Sequence, residues 1–140
     1  MRADFLDSHD RHWTDAEHLF QGQRWANADH LYGMAAECGL KRIMLAFGMP
    51  FDTGKDRPGI RADAEHADQV AVRYESYRAG HVLGAGYALS PVPDPFADWR
   101  IEQRYAHQSH FNQARAEGHR DGAQRIGALV KKARLEGIIS

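Results

Sequence analysis

The residue types best suited to chemistry on a phosphate lie together between positions 104 and 110. Arg104 and His110 are separated by five residues, with Tyr105 and His107 between them. A guanidinium can bind and neutralise a phosphate, and an imidazole near neutral pH can move the proton of a 2′-hydroxyl. Arg104 and His110 are therefore candidate catalytic residues for phosphodiester cleavage, and Tyr105 and His107 are candidates for substrate binding. The alternative is a polar surface helix, since nine histidines in 140 residues also produce such pairs by chance.

A second group of charged residues, Asp29, Glu37 and Lys41, falls on one stripe of a predicted helix. Glu37 precedes Lys41 by four positions, the order that favours a helical ion pair. The interpretation we favour is an exposed strip that interacts with solvent, because such pairs are common on helix surfaces. In the alternative, the three side chains are buried, face a cleft that contains Arg104 and bind the substrate.

A metal site is a third hypothesis, because histidines are abundant and a helical bundle can hold a metal between facing helices. His107 and His110 are three residues apart, but the chain has one cysteine and no Glu-x-x-His sequence. The aromatic side chains could also stack on bases, although at helical spacing they are typical of a core or an interface. We expect no metal and no cofactor.

Composition indicates a single globular domain over residues 1–140. Hydrophobic residues make up 43% of the chain, and the formal net charge of −1 gives no global argument for a polyanionic partner. The acidic first 20 residues do not resemble a signal peptide, and no apolar run is long enough to span a bilayer. We expect a cytoplasmic protein without a membrane association. Cys38 lies in an apolar stretch and is predicted to be a small buried side chain.

Apolar residues at helical spacing predict an all-α fold, an up-and-down bundle of four to five helices. Residues 26–48 are apolar on two faces and predict a central helix that ends before Pro50. Residues 1–12 are polar and are expected to be frayed or disordered. In chain order, the predicted helices cover residues 13–25, 26–48, 61–80, 99–105 and 107–136.

Three details complete this outline. Thr14 is the predicted N-cap of the first helix and Asp98 that of the short helix that begins at Trp99. Proline and glycine predict loops over residues 50–60 and 80–98. Neither a helix nor a strand is expected in the first loop. The second loop can contain a short helical turn. Gly118 and Gly122 predict a weak point in the last helix.

The order of the predicted helices and the Arg104–His110 spacing together resemble the HEPN superfamily. The sequence Ala36-Glu37-Cys38-Gly39-Leu40-Lys41 is similar to the core helix of HEPN domains found beside minimal nucleotidyltransferases. The resemblance covers most of the chain. It implies a helical bundle that forms a homodimer, with a cleft at the dimer axis built from the arginine and histidine of both subunits.

Members of this superfamily are metal-independent ribonucleases, often toxins, or nucleotide-binding partners of nucleotidyltransferases. By this resemblance Arg104 binds the phosphate and His110 is the catalytic histidine. Two positions depart from the active pattern, because Tyr105 follows the arginine and Asn112 stands where toxin members commonly have a tyrosine. The expected function is nucleotide or RNA binding with a possible endoribonuclease activity of a toxin-antitoxin or defence type. The alternative is a non-catalytic interaction protein that associates with itself or with a nucleotidyltransferase.

Overall fold

The computed structural model describes residues 1–89 and 94–140, and over these ranges the chain is an all-α helical bundle, as predicted. One pair of two-residue strands, β1 (Phe51–Asp52) and β2 (Arg57–Pro58), interrupts the helices. The α-helices are α1 (Phe5–Gln21), α2 (Trp25–Ala46), α3 (Val70–Ala79) and α4 (Gln113–Leu135). Short 3-10 turns lie at Arg61–Ala64, Gly84–Tyr87, Ile101–Tyr105 and Gln108–His110.

The prediction of a central helix is confirmed by α2. It contacts α1, α3 and α4, and Tyr32, Ala35, Ile43 and Met44 are completely buried. A helix with neighbours on several sides must be apolar around most of its circumference, which explains the lack of a single apolar face in its sequence. Cys38 is buried, as predicted, and burial raises the pKa of its thiol to about 12.

The start of α1 was predicted wrongly. The helix begins at Phe5, where the Asp4 carboxylate accepts hydrogen bonds from the backbone N–H groups of residues 6 and 7. Residues 5–12 therefore belong to the helix, and His9 is buried with its Nδ1 2.7 Å from the carbonyl oxygen of Ala35. Thr14 is not a cap, because it lies inside the helix and donates its hydroxyl to the carbonyl of Asp10.

The connection between α2 and α3 is more structured than predicted at its start and less helical at its end. The predicted loop at 50–60 contains the β1–β2 hairpin, and the predicted helix at 61–80 begins only at Val70. The reason is Asp63, which is buried and accepts hydrogen bonds from Arg73 Nε at 2.7 Å and Tyr77 Oη at 2.5 Å. The chain must turn back before α3 to bring this carboxylate against the helix.

The second predicted loop, residues 80–98, contains a short helical turn at Gly84–Tyr87, whereas residues 82–83 and 87–89 were predicted to form it. Residues 90–93 of this loop lie outside the described part of the chain. The last helix begins later than predicted. It starts at Gln113, capped by the side chain of Asn112, and continues through Gly118 and Gly122 without a break. Its side chains reach α1, where Arg120 Nε and Nη2 donate to the Glu17 carboxylate at 2.7 and 2.8 Å and Arg134 pairs with Asp10.

Candidate functional site

A completely buried carboxylate near the start of α2 is the centre of a polar network that reaches α4. Asp29 has no exposed surface. Its Oδ1 lies 2.5 Å from His119 Nδ1, and its Oδ2 accepts a hydrogen bond from Gln103 Nε2 at 2.5 Å. Arg115 Nε is 3.4 Å from the same Oδ2. An anion removed from water requires such partners, because burial of an unpaired carboxylate is very unfavourable.

The close approach of Trp99 to α2 explains how partners from distant parts of the chain reach Asp29. A Cβ atom on Gly33 would lie 2.1 Å from Cε2 of Trp99, so only glycine allows the indole to lie against the helix. The indole N–H donates to the carbonyl oxygen of Asp29 at 3.2 Å. Because Trp99 is fixed in this way, the preceding residue, Asp98, is brought to the surface of the same network.

His119, in the second turn of α4, is held between two carboxylates. Its Nδ1 faces Asp29, and its Nε2 lies 2.8 Å from Oδ1 of Asp98. Since carboxylate oxygens accept, both ring nitrogens donate and the side chain is an imidazolium. Burial alone would lower the pKa of His119, but the hydrogen bonds and charges of Asp29 and then Asp98 outweigh it and raise the pKa. The ring of Phe96 stacks on the imidazole.

Arg115, one helical turn before His119, binds the other oxygen of Asp98. Its Nη1 donates to Asp98 Oδ2 at 2.8 Å, and its Nη2 donates to the Asp98 carbonyl oxygen at 2.7 Å. Partial burial raises the pKa of Asp98, but the hydrogen bond to His119 and the charges of His119 and Arg115 are stronger and lower it. Asp98 thus bridges two cationic side chains of α4.

An open cleft of about 550 Å³ lies in front of this network. Arg115, which is half-buried, lines the cleft together with the exposed Asp98, Arg100 and His110. The side chain of Asp98 is 66% exposed, whereas that of His119 is 3% exposed and lies behind it. The remaining lining residues are Glu102, Gln103, Ala106 and Phe111.

The other two charged residues of the α2 stripe form a separate group. Lys41 Nζ donates to Glu37 Oε1 at 2.7 Å, which confirms the predicted helical pair. The expectation that this strip is exposed is wrong, because Glu37 and Lys41 are 6% and 4% exposed. Their cover includes His66, whose Nδ1 lies 3.1 Å from Glu37 Oε2. Arg115 forms an ion pair with Asp29 of the stripe. Within the described residues, no ion pair joins the stripe to Arg104.

The predicted catalytic residues, Arg104 and His110, are on the surface and lie in two separate 3-10 turns. Arg104 and Tyr105 end one 3-10 turn, where the Arg104 guanidinium lies 4.9 Å from the centre of the Tyr105 ring. His110 ends the next turn, before α4 begins, and His107 caps that turn with its Nδ1. His110 is one of the residues that line the cleft, whereas Arg104 is not. Asp98 does not cap the first turn, because both of its carboxylate oxygens bind α4.

Sequence reasoning missed Asp98, Gln103, Arg115 and His119. One signal was present: Arg115 and His119 are four apart and share a face of a predicted helix. Their partner Asp29 is 90 residues from His119 in the chain, and no local pattern indicates a contact of that range.

Within residues 1–89 and 94–140, no cluster of three His, Cys, Asp or Glu side chains is arranged to hold a metal ion. None of the helices in these ranges is both long and apolar enough to cross a bilayer. Comparison of the chain with models of protein families, with curated proteins and with solved structures finds no match.

Proposed function

We propose that the protein is a cytoplasmic, HEPN-like nucleotide- or RNA-binding protein that holds a phosphate in the cleft in front of Arg115. The observation that carries this proposal is the convergence of Arg115, Arg100 and His110 on one open cleft. Guanidinium groups bind phosphate oxygens through paired N–H donors, and an exposed imidazole adds a further donor.

The fixed position of Arg115 supports this assignment. The guanidinium contacts Asp98, Gln103 and Asp29, and it lies 5.6 Å from the centre of the Phe111 ring. A side chain already held in place loses less conformational entropy when a ligand binds. Arg100, by contrast, is 76% exposed and approaches Glu102 only at 3.9 Å. Arg115 is thus the anchor, and Arg100 is an exposed second contact.

Titration of AMP, ATP and a short single-stranded RNA by calorimetry tests the binding function. We expect Arg115→Gln to weaken binding at least tenfold, the loss expected for one charge-assisted hydrogen bond of about 1.5 kcal/mol or more. Arg100→Ala should have a smaller effect. Arg57→Ala is the matched control, because Arg57 is exposed in the β1–β2 hairpin at the opposite end of α2. If the wild type binds none of the three ligands, the proposal is wrong.

Ribonuclease activity of a toxin-antitoxin or defence type is the catalytic form of the same proposal. In this form His110 transfers a proton at the 2′-hydroxyl, and Arg104 or Arg115 stabilises the charge that develops on the phosphate. The assay uses mixed RNA in the presence of EDTA. Loss of cleavage in His110→Ala and retention in Arg57→Ala would support catalysis, and equal cleavage by wild type, Arg104→Ala and His110→Ala would exclude it.

The second candidate is a non-catalytic interaction protein, as a homodimer or with a nucleotidyltransferase. It is favoured by exposed apolar side chains on α3 and the turn after it: Val72 is 76%, Val82 91% and Leu83 52% exposed. Exposed apolar groups are typical of association surfaces when they form a patch. Sedimentation velocity distinguishes the cases, since a dimer that becomes monomeric in Val72→Asp or Leu83→Asp uses this surface. A monomer at all concentrations contradicts self-association.

A further inference from the structure

The exposed carboxylate of Asp98 occupies the place in the network that an external anion would take. One of its oxygens lies 2.8 Å from His119 Nε2 and the other 2.8 Å from Arg115 Nη1. Two oxygens of a phosphate can bind the same pair of donors, because both groups present oxygens at similar spacing to N–H donors. We propose that Asp98 is an internal competitor, which a ligand phosphate displaces from His119 and Arg115. This inference rests on the proposed function of the cleft.

The two sides of this contact differ in how easily they can move. Asp98 is 66% exposed on its side chain and lies at the wall of the cleft, so its carboxylate regains water when it turns outward. His119 is fixed from behind by Asp29, and Arg115 by Gln103 and by the backbone carbonyl of Asp98. The cations therefore stay in place when the carboxylate leaves.

The charges of the network give displacement a clear consequence. Asp29 and Asp98 carry two negative charges, and His119 and Arg115 carry two positive charges, so the closed network is neutral. When Asp98 turns outward, one positive charge remains uncompensated beside the cleft. A phosphate group supplies the missing negative charge, whereas an uncharged nucleoside does not. The site should therefore select ligands by their phosphate group.

The Glu37–Lys41 pair shows why the same argument does not apply elsewhere on α2. Both members of that pair are buried, with side chains 8% and 6% exposed, and neither lines the cleft. No external anion can approach Lys41 without a change in the packing. Asp98 is the carboxylate of the network that is exposed to the cleft and bound to both cations of α4.

The test compares Asp98→Asn and Asp98→Ala with wild type, with inorganic phosphate and 5′-AMP as ligands and adenosine as the uncharged reference. Calorimetry should show about tenfold tighter binding of both anions to the variants, since a competing charged hydrogen-bond partner has been removed. Adenosine affinity should not change. Glu117→Gln is the control for net charge, because this carboxylate of α4 is exposed, accepts a hydrogen bond from Gln113 and does not line the cleft.

The outcomes separate this inference from the proposed function. If wild type binds AMP and both Asp98 variants bind it equally or more weakly, Asp98 is a structural partner and the competitor role is wrong. If Glu117→Gln increases affinity as much as the Asp98 variants, the effect is one of net charge and the inference is also wrong. If no form of the protein binds phosphate, AMP, ATP or RNA, the phosphate-binding function itself fails.

Discussion

The helix α2 carries two buried charged groups that differ in construction. Asp29, near its start, has partners from α4 and from the 3-10 turn that contains Gln103. Glu37, two turns later, has its main partner, Lys41, on the same helix. The first group joins three parts of the chain and ends at an open cleft through Asp98. The second is local and covered. The Asp29 group therefore connects distant parts of the fold and borders an open cleft, while the Glu37 group fills a polar position in the core.

Removal of Asp29 should disrupt the first group and should cause the largest loss in the free energy of unfolding. Asp29→Ala leaves His119 and Arg115 without their buried counter-charge, and we expect a loss of about 3–5 kcal/mol in the free energy of unfolding. Urea denaturation measures the change. Asp121→Ala, at an exposed position of α4, should remain within about 0.5 kcal/mol of wild type. A loss below about 1 kcal/mol for Asp29→Ala would show that the network does not stabilise the fold.

Removal of Glu37 should have a smaller effect. Glu37→Ala leaves the Lys41 amino group without a carboxylate, and we expect a loss of about 2–3 kcal/mol, since one charged group loses its partner. The flexible lysine side chain can reach water more easily than His119 or Arg115. Glu102→Ala, which removes an exposed carboxylate, is the control in the same denaturation assay. An effect equal to that of Asp29→Ala would contradict the distinction between the two groups.

Replacement of both members of a charged pair by leucine should increase the difference in stability between the two groups. The double variant Glu37→Leu/Lys41→Leu removes both charges of a local pair, and its stability should lie within about 1 kcal/mol of wild type because apolar side chains can replace such pairs. Asp29→Leu/His119→Leu should remain strongly destabilised, since Arg115 and Gln103 still lose a partner. Equal stability of the two double variants, measured by thermal unfolding, would show that Asp29 is no more connected than Glu37.

The smallest expected effect is the change of the free energy of unfolding with pH. The raised pKa of His119 means that its contribution is complete below the unfolded pKa of about 6.5 and is lost as pH rises through the folded pKa. His9, His12 and His30 have pKa values lowered mainly by burial, so their contributions are lost as pH falls below about 6.5. In Asp98→Asn the folded pKa of His119 should be lower, so the decline in stability on the alkaline side should be smaller and should end at a lower pH. Histidine NMR titration of both proteins tests this directly.

The sequence predicted the helices whose apolar residues recur over many turns. The central helix was placed within two residues of its observed ends, because its burial on several sides leaves a continuous apolar pattern. The start of α1 was missed because Asp7, His9 and Asp10 appear polar in the sequence, although Phe5 and Leu6 pack against the core and Asp4 caps the helix. A buried histidine cannot be distinguished from an exposed one by its residue type.

Asp29, one of the predicted site residues, lies at the centre of the polar network. The arginine and histidine that contact it are Arg115 and His119, which lie eleven and nine residues after the predicted Arg104 and His110. The 3-10 turns at 101–105 and 108–110 have polar sequences that also suit a helix, so the true start of α4 at the Asn112 cap was not evident. Which arginine and histidine meet Asp29 depends on the packing of α4 against α2, and this information is not local in the sequence.

The ion pairs between α4 and α1 have a consequence for the order of folding. Arg120 and Glu17 are 103 residues apart, and Arg134 and Asp10 are 124 apart. The α1–α2 hairpin closes over three residues and can form early, whereas α4 must close a loop that includes most of the chain, which is slow. During synthesis on the ribosome, the surface of the hairpin that packs against α4 therefore remains exposed until the last helix emerges. We expect refolding to show helix formation before the burial of Trp99, with chaperones most needed in that interval.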